Sequence, residues 1–296
     1  MLLQRNVFVG ALRLAEGSNV VLVVDQKTAR YCDIRKAALR RPNWICAAVD
    51  LETLQVSGVS SVNLPGSILD VWKSLRNEPA AQFHISRRVQ WRIVGILAML
   101  ATPFFDTLFL DSDNFPCFDM RTLFSMTEPQ HGVPEVDEDN VVGLLDYEDI
   151  LISYHNSTLG GFLRRGGLGM PNAFGLFNTG VMLYRARDCV LEFLVHWLDL
   201  YLQDLQRKIQ SHNANHTTRD YQRQSAMQWA MYHGVANNGL RVHPLSPVWN
   251  VRSWLSPLSG INKGVTRNFD PCCKTNHPSM PITIIDNNCD IDELIA

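Results

Sequence analysis

Thr107-Leu108-Phe109-Leu110-Asp111-Ser112-Asp113-Asn114 is a run of apolar, strand-forming residues that ends in two carboxylates separated by one serine. Side chains alternate between faces along a strand, so Asp111 and Asp113 share one side wherever strand geometry persists. Two carboxylates held together repel each other. A divalent cation relieves that repulsion, and oxygen ligands suit Mn²⁺ or Mg²⁺. Upstream, residues 88–100 carry the apolar spacing of an amphipathic helix, and Pro103 closes it before the strand begins. The competing explanation is turn chemistry, because aspartates end strands and form Asx turns, and Asn114-Phe115-Pro116 reads as a turn in either case. A turn, however, requires neither two aspartates nor the helix that precedes them.

A second polar interruption lies in Phe177-Asn178-Thr179-Gly180-Val181-Met182-Leu183-Tyr184. An asparagine and a glycine inside an apolar strand both need a reason. Close approach of a sugar ring is one, with Asn178 bonding hydroxyls and Gly180 leaving room. A β-bulge with a locally satisfied asparagine is the other.

The segment from Ile93 through Pro103 to Asp111-Ser112-Asp113-Asn114 resembles the DxD region of GT-A glycosyltransferases, nearest in style to the glycogenin-like and fungal α-mannosyltransferase families. Residues 177–184 are similar to the Asn-Ser-Gly strand that these families place beside the donor sugar. The resemblance implies an α/β GT-A fold, a Rossmann-like nucleotide-diphospho-sugar transferase with a mostly parallel central sheet flanked by helices. It implies one catalytic domain over 1–296, with a nucleotide-binding half (1–115) and a sugar- and acceptor-binding half (116–296). Asp113 would hold the metal directly, and Asp111 would contact the metal or the sugar and ribose hydroxyls. The cofactor would be Mn²⁺ or Mg²⁺, the donor a nucleotide-diphosphate sugar, and the acceptor a glycan, glycoprotein or other hydroxyl compound. Retention at the anomeric carbon is implied as well. An inverting enzyme would need a carboxylate base, for which Glu135 and Asp137 are available.

Outward from this centre, residues 7–12, 20–25 and 44–50 read as strands and 28–39 as a basic helix. A strand–helix–strand rhythm favours parallel pairing, with ligands outside the strands' carboxyl ends, where Asp25, Asp50 and Asp111 fall. In the resembling families the loop after the first strand holds the nucleoside. Gly10-Ala11-Leu12 occupies that place here without naming a base. Arg87, Arg88 and Arg92 cluster at the start of the helix before the DxD strand. Arginine suits bidentate phosphate contacts, so Arg92 and Arg88 are candidates for the donor diphosphate, against the alternative of a solvated basic face.

Residues 128–139 read as an acidic exposed loop, 141–145 as a return to the sheet, and the glycine-rich 156–172 as a loop over the site. Residues 187–208 form a long helix with Trp197 and Tyr201 as core aromatics. A helix over 220–233 follows, in which Gln224-Ser225-Ala226-Met227 resembles the family's Asp-Gln-x-Ala-Leu signature. Arg223 stands where an aspartate is usual, with Asp220 one turn earlier, so the polar residue of the catalytic face is Gln224 or Asp220. Residues 242–245 read as a strand, and Val248-Trp249-Asn250 resembles the family's Trp-Asn segment. The family's third metal ligand is a histidine near the C-terminus. Here a short apolar strand over 281–285 leads instead to Asp286, an acceptable hard ligand, ahead of His243 and His277.

Bulk properties narrow the field further. A net charge of −2 gives no footing for nucleic acid or an anionic membrane. No apolar run reaches the ~20 residues of a membrane span, and the first residues lack a signal-peptide layout. The expected location is therefore cytosolic, or that of a Golgi-type enzyme lacking its anchor. Seven irregularly spaced cysteines match neither a disulfide framework nor a zinc site, and the redox compartment stays open. Two other classes compete with the transferase. A haloacid-dehalogenase-like phosphatase also uses D-x-D, as nucleophile and acid/base. A carbohydrate-binding GT-A homologue with a decayed site is the other.

Overall fold

The computed structural model describes residues 18–78, 85, 87–110, 114–116, 123–124, 150–154, 177–211, 223–245, 251–252 and 284–286. The fold is mixed α/β. Strand β1 (Val20–Asp25) is apolar throughout and buries both faces. Val20, Leu22 and Val24 pack with Cys32 and Trp44, while Val21 and Val23 face the main core. Such two-sided burial is what a parallel strand under covering helices requires. It pairs in parallel with β2 (Trp44–Asp50), from Val20 opposite Trp44 to Asp25 opposite Val49. The short β3 (Gln55–Ser57) adds antiparallel to β2.

The crossover helix α1 (Gln26–Ala38) starts because Asp25 caps it, accepting from the Thr28 amide at 2.9 Å and the Thr28 hydroxyl at 2.7 Å. A disulfide from Cys32 on α1 to Cys46 on β2, with Cα atoms 5.9 Å apart, fastens helix to strand. This bond was not foreseeable from the irregular spacing, because only the parallel register brings the two cysteines together. Free Cys189 lies elsewhere.

Helix α2 (Gly66–Asn77) buries Ile68, Trp72 and Leu75, spaced as one face, and the Trp72 indole donates to the Leu51 carbonyl at 2.6 Å. Helix α3 (Arg87–Leu100) buries Val89, Ile93, Ile96 and Leu97 on one stripe. The long α4 (Asp188–Ser211) runs through the centre, with Phe193, Trp197, Leu198, Tyr201 and Leu205 at 2% exposure or less. Trp197 and Tyr201 are thus core aromatics, as their helical phase predicts. Helix α5 (Arg223–Asn237) packs on α4 through Met227, Ala230 and Met231. It ends at Gly239 (φ +66°), where a left-handed backbone suits glycine. The Leu240 amide bonds back to the Gly234 carbonyl at 3.1 Å, which brings the Leu240 side chain so close to Gly234 that a Cβ there would meet it at 2.9 Å.

Between α3 and β4 (Asp106–Leu110) the chain is tied by two threonines. Thr107 donates to the Phe104 carbonyl at 3.2 Å, so Thr102 supplies the proton of the 2.7 Å contact between the two hydroxyls. Strand β4 pairs antiparallel with β7 (Phe177–Arg185), which pairs with β6 (Ile150–Tyr154), which in turn pairs in parallel with β8 (Val242–Leu245). Three of the four strands share one direction. Residues 114–116, read as a turn, form instead strand β5 (Asn114–Pro116), which pairs with β10 (Ile284–Asp286). That pairing partner lies far along the chain, so local turn propensity could not reveal it. Strand β9 (Val251–Arg252) completes this small sheet on the other side of β10.

The disulfide spans a sequence separation of 14 residues, and closing a loop of that size is worth about 3 kcal/mol. Cys32→Ala paired with Cys46→Ala is expected to lose about that much unfolding free energy. Wild type in reducing buffer should move to the same urea midpoint. Equal midpoints for oxidised and reduced protein would contradict this.

Candidate active site

Antiparallel pairing sets the site's frame. The Asp106 carboxylate receives the Arg185 Nε at 3.0 Å, and these residues are register partners at the first position of β4. Thr107 stands opposite Tyr184, whose hydroxyl donates to the Met99 carbonyl at 2.8 Å. That carbonyl lies in the last turn of α3 and has no acceptor role inside the helix. Burial pushes the Tyr184 hydroxyl well above the ordinary tyrosine range, and the nearby Thr107 and Thr102 hydroxyls offset this only in part, so it remains a neutral donor. With one end fixed, the other follows. Leu110 stands opposite Val181.

The consequence is that the two sequence motifs meet at one sheet end. Asp111 follows Leu110 directly, and Gly180 precedes Val181. The carboxyl ends of β4, β6 and β8 all lie at this end, beside the first residues of β7. Gly180 is buried there. Asn178 stands opposite Ser153, while Ile152 stands opposite Met182, so the register jumps across this segment. The bulge offered as one reading of Asn178 and Gly180 is therefore present. A bulge at a sheet end is also a common device for aiming residues at a site.

Asp111 and Asp113 lie outside the described residues, but the chain on both sides is placed. Asn114, bonded to Asp113, stands opposite Asp286 in the β5–β10 pairing, and Asp286 stands beside Arg252 on the other side. Of the three C-terminal ligand candidates, Asp286 is the one whose backbone reaches this neighbourhood. His243 sits on β8, separated from β4 by β6 and β7, or about 14 Å of sheet at ~4.8 Å per strand. His277 is outside the described residues, as are Asp220, the Gly10-Ala11-Leu12 segment, the acidic and glycine-rich tracts, the strand over 141–145 and Trp249-Asn250. Among the described residues no cluster of three metal-ligating side chains occurs.

Asp25 and Asp50 do end their strands, but they are taken up locally. Asp25 caps α1, and Asp50 accepts from the Glu52 amide at 2.8 Å and the Thr53 hydroxyl at 2.9 Å. Arg92 is partly buried on α3, and Arg88 lies one turn earlier on the same helix. Gln224 is in the first turn of α5.

Sequence reasoning missed Gln228, one turn beyond Gln224. It is 3% exposed, and its Nε2 donates to the Phe177 carbonyl at 3.0 Å, tying α5 to the first residue of β7. The available signal was a glutamine between Met227 and Ala230 on an apolar helix face.

A separate cleft of about 440 Å³ opens between the start of α2 and one face of α4, lined by Asn63, Ser67, Asp188, Glu192, His196 and Asp199. None of its lining residues comes from the motif-bearing sheet end. His196 meets His233 of α5 at 5.1 Å between ring centroids, and its Nε2 has no hydrogen-bond partner.

No protein-family model and no curated protein matches this sequence. Several solved structures are similar to it. The apo form of mouse xyloside xylosyltransferase 1 is 17% identical, covering 98% of this chain and 93% of that one, with a TM-score of 0.48. The apo structure of the bifunctional glycosyltransferase WbbM is 13% identical over 96% of this chain and 43% of that one, with a TM-score of 0.47. Galactosyltransferase LgtC in complex with donor and acceptor sugar analogues is 14% identical over 90% and 86%, with a TM-score of 0.36.

The His196 pKa is lowered by burial first and by His233 second, with Asp199 opposing. The unfolded chain therefore binds this proton more readily than the folded one, and the sign of the linkage follows. The contribution of His196 to stability is complete above its unfolded pKa, about 6.5, and is lost as pH falls below it. Urea unfolding at pH 7.5 and pH 5.5 should show a larger loss in wild type than in His196→Gln. Equal slopes for the two proteins would count against this assignment.

Proposed function

We propose that this chain is a metal-dependent GT-A glycosyltransferase that moves a sugar from a nucleotide-diphosphate sugar to a hydroxyl of a glycan, protein or other acceptor. The observation that carries the reading is the β4–β7 register, Leu110 opposite Val181, which sets the strand leading into Asp111-Ser112-Asp113 beside the strand of Asn178 and Gly180. A turn-forming D-x-D would have no reason to share a sheet end with an interrupted strand from so far along the chain.

Asp113 and Asp111 would hold the cation, with Asp286 as third ligand because its register partner is Asn114. This all-carboxylate set fits Mn²⁺ or Mg²⁺. When bound, the ion would act as a Lewis acid towards the leaving nucleoside diphosphate. Arg92 and Arg88 would contact the diphosphate as charge-assisted donors. Asn178 would bond a donor-sugar hydroxyl, and Gly180 would leave room for the ring. Gln224 or Asp220 would present a polar group to the reacting face of the sugar. Transfer proceeds with retention in this reading. The 1–115 half would bind nucleotide and the 116–296 half sugar and acceptor, within one domain.

No helix among the described residues is long and apolar enough to cross a membrane. Of the two compartments that the sequence leaves open, the Cys32–Cys46 disulfide favours the oxidising, Golgi-type one.

Calorimetric titration with UDP and GDP, each with Mn²⁺ and with EDTA, tests the reading without knowledge of the acceptor. One nucleotide should bind only with metal. Asp113→Asn should abolish that binding, and Asp286→Ala should weaken it by at least the roughly 10–100-fold typical of lost metal-site partners. Binding that persists in EDTA or in Asp113→Asn would refute the metal site. Absence of all nucleotide binding, with phosphate-ester hydrolysis lost in Asp111→Asn, would establish the phosphatase instead.

A further inference from the structure

Gln228 is buried among Ala226, Met227, Ala230 and Met231, where a methionine would fill the same volume without burying an amide. Its Nε2 has a partner in the Phe177 carbonyl, but its Oε1 is buried with none. An unpaired buried acceptor costs as much as one neutral hydrogen bond returns, or more. Stability therefore does not account for a glutamine here.

What the bond does supply is a fixed point. Phe177 opens β7 opposite Tyr154, and the next residue, Asn178, is where the register against β6 jumps to Met182. The regular ladder does not run through this segment from the β6 side. The Gln228 amide anchors it from the helix side, one turn along α5 from Gln224 and at a position on the same helical face. We propose that Gln228 is a positioning residue, whose bond to the Phe177 carbonyl sets the Asn178–Gly180 segment against the helix turn bearing Gln224. This rests on the sugar-transfer reading of that segment. A displacement of about 1 Å between such groups can cost on the order of 100-fold in rate.

The test compares wild type, Gln228→Met and Gln228→Glu by hydrogen exchange, urea unfolding, nucleotide titration and hydrolysis of UDP- and GDP-sugars. Gln228→Met should keep or raise the urea midpoint and leave nucleotide affinity unchanged. It should also speed amide exchange in peptides covering 177–181 and lower kcat for donor turnover about tenfold. Gln228→Glu, kept neutral by burial, retains a donor for the carbonyl, so it should recover turnover as pH is lowered. A purely structural role would shift the midpoint without this pH-dependent rescue. Unchanged exchange at 177–181 in Gln228→Met overturns the proposal, as does faster exchange with unchanged turnover. Faster exchange in Gln228→Met, in a protein whose wild type neither binds nucleotide nor turns over donor, would refute the transferase reading and leave the tether standing.

Discussion

The register between β4 and β7 is the constraint on which the arrangement depends, and it is fixed by two unlike contacts at one end. Arg185 is 8% exposed and holds its charge against Asp106, while Tyr184 reaches past the sheet to a carbonyl in the last turn of α3. Sliding the strands by one residue would turn every β4 side chain to the opposite face. It would also part Arg185 from Asp106 and leave a nearly buried guanidinium without its carboxylate, which costs more than the intact pair contributes. The apolar residues Leu108 to Leu110 would tolerate a slip better than these polar groups would. Specificity therefore comes from the polar end and is delivered to the other end, where the aspartates follow.

Much of this was legible in the chain because it depends on local pattern. Strands β1, β2 and β8 fall where alternation and apolar runs put them, and α3, Pro103 and β4 follow in the expected order. The paired motifs were legible too, since a polar residue or a glycine inside an apolar strand is conspicuous. What stayed hidden depends on partners remote in sequence. Strand β5 looks like a turn until β10 is set beside it, and Cys32 and Cys46 look unrelated until a parallel pairing aligns them. Gln228 was passed over because a glutamine on a helix is ordinarily solvated, and only tertiary packing reveals that this one is not.

The acidic residues at strand ends illustrate how position and role diverge. Asp25, Asp50 and Asp111 all follow apolar strands, so sequence treats them alike. Asp25 and Asp50 are each followed within three residues by a threonine, whose hydroxyl they accept. Those carboxylates satisfy backbone amides at the start of a helix or turn, and little acceptor capacity is left for a ligand. Asp111 is followed by a second aspartate, which offers no proton at neutral pH and makes the same local solution unfavourable. The neighbour, more than the strand end itself, separates a capping aspartate from a candidate ligand.

The same logic bears on how the site is divided between sheets. Strand β4 belongs to the four-stranded sheet and β5 to the small one, and only residues 111–113 separate them. The D-x-D segment is thus anchored on one side by Val181 and on the other by Asp286. Neither anchor alone would fix it, because a strand end with a free continuation frays. A segment held from two sheets keeps its carboxylates together even while they repel, and that repulsion is what a cation would relieve. The Asn178 segment is held in the same two-sided way, by Ser153 across the sheet and by the Gln228 amide from α5. Both halves of the proposed site therefore rest on contacts made by residues distant in sequence. Chemistry is concentrated in short irregular stretches, and their geometry is set by the regular elements on either side.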